Sequence, residues 1–170
     1  DVLMAMPVMR ETDAVIARPE HRVPGAPVAW LDPGEAVATI WPAMRRGRHT
    51  TEAWIESTGR GPVRHRLLPE PAKRCGTVIA PTVAAPAKQW HGWAALGRDI
   101  PGARWLMTSA SRAEWMRVLN EADTVICPDT GTAHMADALG CPRVIVLHGV
   151  PENWPHCAPY WERRYCIHRS

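Results

Sequence analysis

Residues 124–148 read TVICPDTGTAHMADALGCPRVIVLH, and this stretch decides the fold. Its first four residues, Thr124 to Cys127, form an apolar run of the kind that buried parallel strands show. A helical pattern over 130–139 follows, closed by Gly140 as a C-cap with Pro142 just beyond. A second apolar run, 143–148, completes a strand–helix–strand unit and so implies a parallel sheet. Between the first run and the helix lies a cluster richer than a helix start requires. One capping side chain is enough to begin a helix, yet Asp129, Thr130, Gly131, Thr132 and His134 supply an acid, two hydroxyls, a glycine and a histidine.

Working outward, the same alternation continues upstream. Residues 75–81 (CGTVIAP) and 103–108 (ARWLMT) are further strand candidates, and 90–98 and 111–122 carry helical patterns. Ser111 is the expected N-cap of the latter, with Glu114 three positions on completing a capping box. Residues 75–170 are therefore expected to form a small Rossmann-like α/β domain. Residues 1–60 are punctuated by proline and glycine and read as a shorter N-terminal domain, with helices over 2–10 and 51–57 and strands over 14–18, 28–31 and 37–41. Residues 61–74 (GPVRHRLLPEPAKR), with three prolines, read as the linker between the two.

Composition limits the function classes. With 170 residues and 46% hydrophobic content, the chain suits one ordinary domain or two very small ones. No apolar run of membrane-spanning length and no leader pattern occur, so at most peripheral membrane contact and a cytoplasmic location are expected. Five cysteines without a CxxC pair argue for free thiols. A net charge of +3 with dispersed arginines gives no nucleic-acid signature. Of the 20 cationic side chains only Lys73 and Lys88 are lysines. Against such a bias, a surviving lysine is a candidate for work that needs a compact ammonium and not a planar guanidinium.

In open parallel sheets, ligands bind beyond the carboxyl ends of the strands, and the unusual residues fall in those loops: 82–88, 109–111, 129–132 and 149–153. At the helix start, unpaired N–H groups and the helix dipole suit an anion, and Gly131 lets a phosphate come close to the backbone. His134 lies one turn on from Thr130, and Lys88 adds a point charge from the neighbouring loop. A diphosphate is the expected guest. No GxGxxG or GxxxxGK[ST] pattern is present, so neither a dinucleotide site nor a Walker-type site is supported.

Residues 122–149 (ADTVICPDTGTAHMADALGCPRVIVLHG), preceded by Ala87-Lys88-Gln89-Trp90, resemble the donor-binding domain of glycosyltransferase family 9, the heptosyltransferase type. The resemblance implies a GT-B-like architecture of two Rossmann-like parallel-sheet domains, here with a shortened N-terminal one. It also implies a nucleotide-sugar donor, usually ADP-heptose, held by Lys88, Asp129, Thr130, Gly131, Thr132 and His134. Glu114 stands as a candidate for the ribose-contacting glutamate, and capping explains it equally well. The opening residues 1–11, DVLMAMPVMRE, resemble the segment whose aspartate is the family's base, which lands on Asp1. The implied reaction is inverting transfer to an acceptor hydroxyl on a glycan, a lipid-linked molecule or a protein, within lipopolysaccharide biosynthesis in the relatives. Neither a cofactor nor a metal ion is expected, because the helix N–H groups and Lys88 can take the leaving-group charge. The family's first strand precedes that aspartate, so a longer natural start is expected.

Two rivals stand beside this reading. One is a catalytically degenerate module that binds a nucleotide sugar or a protein, which consumption of donor would discriminate. The other is a metal site among His148, His156, Cys157, Cys166 and His168, whose spacing matches no standard zinc pattern.

Overall fold

The computed structural model describes residues 66–148 other than 85 and 108, together with 14–16, 29–31, 51–52, 55 and 166–168. Strands β1 (Ala14–Ile16) and β2 (Ala29–Leu31) pair in parallel, Ala14 opposite Ala29, inside the expected spans 14–18 and 28–31. The expected elements over 2–10 and 37–41 lie outside the described residues.

The main sheet is parallel throughout. It contains β3 (Thr77–Ile79), β4 (Arg104–Trp105), β5 (Thr124–Pro128), β6 (Arg143–His148) and β7 (Cys166–His168) in the order β4-β3-β5-β6-β7. Helices α1 (Trp93–Asp99), α2 (Arg112–Glu121) and α3 (Gly131–Ala138) link successive strands, so the α/β reading of the sequence is correct. Every residue of β5 is buried, as a central strand covered on both faces requires. On one face Val78, Val125, Val144 and Val146 pack with Met116 and Leu119 of α2, Ala136 of α3 and Leu139 at the C-cap of α3. On the other, Ile79 and Ile126 pack with Trp93 of α1.

Local chemistry sets the helix ends. Ser111 caps α2, its hydroxyl accepting from the Glu114 N–H at 3.2 Å, as the sequence predicts. The Glu114 carboxylate does not return the bond, being turned to Arg104 and Arg117. α3 stops because Gly140 takes φ +71°, a left-handed value that glycine adopts without a steric cost. The Gly140 and Cys141 N–H groups then reach the carbonyls of Asp137 (2.9 Å) and Ala136 (3.0 Å), closing a Schellman turn.

The described part of the expected linker, from residue 66 onward, is packed against the domain. Leu67 is 4% exposed within the core, and its N–H donates to Ala138 at 3.2 Å. Arg74 clamps two helix C-termini, donating to the carbonyls of Asn120 (3.1 Å), Ala122 (3.0 Å) and Gly140 (3.3 Å). Carbonyls without helical partners at a helix end are what a guanidinium fork satisfies well. This clamp secures the rim opposite the strand carboxyl ends.

Candidate functional site

The strand order places the site. The chain runs from β3 out to β4 and returns to β5 on the other side of β3, so the loops leaving β3 and β5 diverge and open a crevice at the strand ends. Lys88 comes from the first loop, at the end of a 3-10 turn spanning Pro86–Lys88, and Asp129 from the second. Across 41 residues of sequence, Lys88 Nζ donates to Asp129 Oδ2 at 2.7 Å and to the Asp129 carbonyl at 3.0 Å. The Asp129 side chain is buried (8% exposed), and that of Lys88 is partly open (30%).

Next to this pair is the start of α3. Thr130 is its N-cap in extended backbone, and the Thr130 hydroxyl oxygen accepts from the Thr132 N–H at 3.4 Å. That is a long bond, against a usual 2.9–3.0 Å, and it leaves the first-turn donors with capacity for an incoming oxygen. Gly131 is exposed, its φ lies outside the left-handed region, and among the described residues no heavy atom other than those of its chain neighbours and its own helix backbone stands within 4 Å of where a Cβ would be. Neither the backbone nor the packing of the described residues therefore requires glycine here, although glycine costs about 0.5–1 kcal/mol in a helix relative to alanine.

A cleft of about 320 Å³ opens from the same helix start between α2 and α3, bounded by Arg112, Trp115, Met116, Gly131, Thr132 and Met135. The Trp115 indole is held by a bond from Nε1 to the Met107 carbonyl at 3.2 Å. Sequence reading did not single out this cleft. Trp115, Met116 and Met135 sit at ordinary core-facing helix positions, and only the divergence of two helix starts leaves space between them.

The chain segment that carries α2, β5, α3, β6 and β7 can be compared with known proteins. Residues 110–168 match glycosyltransferase family 9 (heptosyltransferase). No curated protein and no solved structure gives a match. The family 9 match supports a glycosyltransferase at the level of the family, and it contains Glu114 and the whole cluster Asp129, Thr130, Gly131, Thr132 and His134. Lys88 lies outside the matched residues and is brought to them by the fold.

Within the matched residues, Thr132 is buried and His134 half-buried on α3. Glu114 stands apart from the Lys88–Asp129 pair in bonds with Arg117 (Nε 3.0 Å, Nη2 2.8 Å) and Arg104 (2.8 Å). The hydrogen bond from Arg117, and then the charges of Arg117 and Arg104, hold its carboxyl below the usual carboxylate range. The loop 149–153 lies outside the described residues, and so does Asp1. Of the residues weighed for a metal, the β6–β7 register sets His148 opposite His168 and Val146 opposite Cys166, and His156 and Cys157 are not among the described residues. No helix among the described residues is long and apolar enough to cross a membrane.

Proposed function

We propose that the chain works as an inverting glycosyltransferase whose described α/β domain holds a nucleotide diphosphate sugar, with ADP-heptose as the donor. The observation that carries this reading is Gly131. A glycine that the local fold does not need, at an exposed helix start beside a lysine, makes sense where an anion must come against the backbone. The diphosphate takes the first-turn N–H groups of α3, with Lys88 beside it and Thr130 and Thr132 within reach of its oxygens. The cleft at Trp115 and Met135, opening from the same helix start, accepts the flat apolar base. His134 lies one turn further along the helix, where it assists the same leaving group.

In the proposed reaction Asp1 removes the proton from an acceptor hydroxyl, and the hydroxyl oxygen attacks the anomeric carbon. The bond from that carbon to the diphosphate oxygen breaks on the opposite face, and its electron pair leaves with the nucleoside diphosphate. Helix N–H groups and Lys88 stabilise the charge that develops on the leaving phosphate. Asp1 reaches the donor from the N-terminal side in a GT-B-like arrangement, with the acceptor on that side and the reaction in the cytoplasm. The test is titration of the protein with ADP, UDP, GDP and their sugar conjugates, followed by assay of diphosphate release with acceptor present. Preferential ADP binding and acceptor-dependent release support the proposal. Binding without turnover identifies a non-catalytic module, and no binding refutes the donor site.

A further inference from the structure

We propose that Asp129 serves the site indirectly, as the residue that positions Lys88; this rests on the reading of the helix start as a diphosphate site. Asp129 follows the last residue of the central strand with its side chain buried, and two of its oxygens are engaged by one nitrogen: Oδ2 at 2.7 Å and the backbone carbonyl at 3.0 Å from Lys88 Nζ. An ammonium has three N–H donors. Two are held by Asp129, and the third is oriented by them, on a side chain that is still 30% exposed. A carboxylate in direct contact with a diphosphate would repel it, whereas a carboxylate behind the lysine turns a flexible cation into a fixed donor.

The pairing also gives a specific task to one lysine in a chain whose other cationic side chains, Lys73 excepted, are arginines. An ammonium is compact and its donors rotate freely, so Nζ meets both oxygens in a partly buried corner where a planar, rigid guanidinium would need more room. Lys88→Arg therefore keeps the charge and loses the geometry. Because Lys88 is paired with the Asp129 carboxylate, the lysine acts mainly as a directed donor, and its contribution depends on Asp129 being in place.

Having only Lys73 and Lys88, the chain carries its own control for a direct test. Lys73 is exposed, and Lys88 must leave two oxygens before its nitrogen can attack an acylating reagent. In a short acylation pulse read by mass spectrometry, Lys88 of the parent protein should react at least about fivefold more slowly than Lys73, and Asp129→Asn should abolish most of that difference. Equal rates in the parent, or an unchanged ratio in a folded Asp129→Asn protein, overturn the proposal. Calorimetric titration with ADP gives the functional arm. Asp129→Asn should weaken ADP roughly tenfold when Lys88 is present and less than about twofold in a Lys88→Ala background. The same loss in both backgrounds makes Asp129 a direct contact and refutes the positioning role alone. Absence of ADP binding by the parent refutes the diphosphate reading and the positioning role with it.

Discussion

Gly131 separates stability from binding. Its φ is an ordinary negative value and the space around its missing Cβ is open to 4 Å among the described residues, so a methyl group added there meets none of their side chains. Alanine at this first helical position should stabilise the fold by about 0.5 kcal/mol, the lower end of the glycine penalty, which for a chain of this size raises Tm by roughly 1–2 °C. Valine should change stability by less than about 0.5 kcal/mol, since part of the gain is offset by the stiffness of a branched side chain in a helix. The ligand experiences the opposite. A phosphate oxygen bonded to the Gly131 N–H sits about 2.9 Å from that nitrogen, and branched carbons on the adjacent Cβ compete for the same volume. Loss of one such charged bond corresponds to about 1.5–3 kcal/mol, or roughly 10- to 100-fold in ADP affinity for Gly131→Val. Thermal unfolding and calorimetric titration of the three proteins read both effects. An alanine variant that unfolds earlier would show that the site is not open, and a folded valine variant with parental ADP affinity would refute the anion site.

Other substitutions probe separate parts of the account. Lys88→Ala should weaken ADP by about 10- to 100-fold in calorimetry, with Lys73→Ala silent. Arg74→Ala should cost about 2–4 kcal/mol in denaturant unfolding, because three carbonyls at the ends of α2 and α3 lose their donor. Alkylation at pH 8 should label exposed Cys75 ahead of Cys141, whose thiol is pushed up to about 11 by burial, and mass spectrometry of the modified peptides checks the order. Asp1→Asn should leave donor affinity unchanged and lower the transfer rate about 100-fold, as loss of a general base does; a rate within a few-fold of the parent removes Asp1 from the chemistry.

Where local pattern and tertiary demand coincide, the sequence was readable. The run 124–127 is apolar because a central strand must be buried on both faces, and Ser111 and Gly140 announce helix ends through side-chain and backbone chemistry that acts within a few residues. β4 was harder to read. Residues 103–108 have the composition of a buried strand, but of the described residues among them only Arg104 and Trp105 join the sheet, at its edge and both exposed. Trp105 is drawn to α1, where its ring lies over Gly97 in the space that a Cβ would take. The packing of the segment around Leu67 and Arg74 had no local signal at all. Prolines mark a stretch that is neither helix nor strand, and that is equally true of a free linker and of a strap fastened by a guanidinium to carbonyls more than 40 residues away. The candidate site shows the same division. Asp129, Thr130 and Gly131 stand out as a cluster, and Lys88 stands out by rarity, but the contact between Lys88 and Asp129 exists only because β3 and β5 are neighbours.

The most direct test of the diphosphate site is an amide chemical-shift titration of isotope-labelled protein with ADP, with adenosine as the control. The account predicts that ADP produces its largest saturable shifts at Gly131 and Thr132, and that adenosine leaves these two amides nearly unmoved while shifting residues of the Trp115 cleft. Shifts that leave the start of α3 untouched, or that are the same for ADP and adenosine, would contradict it.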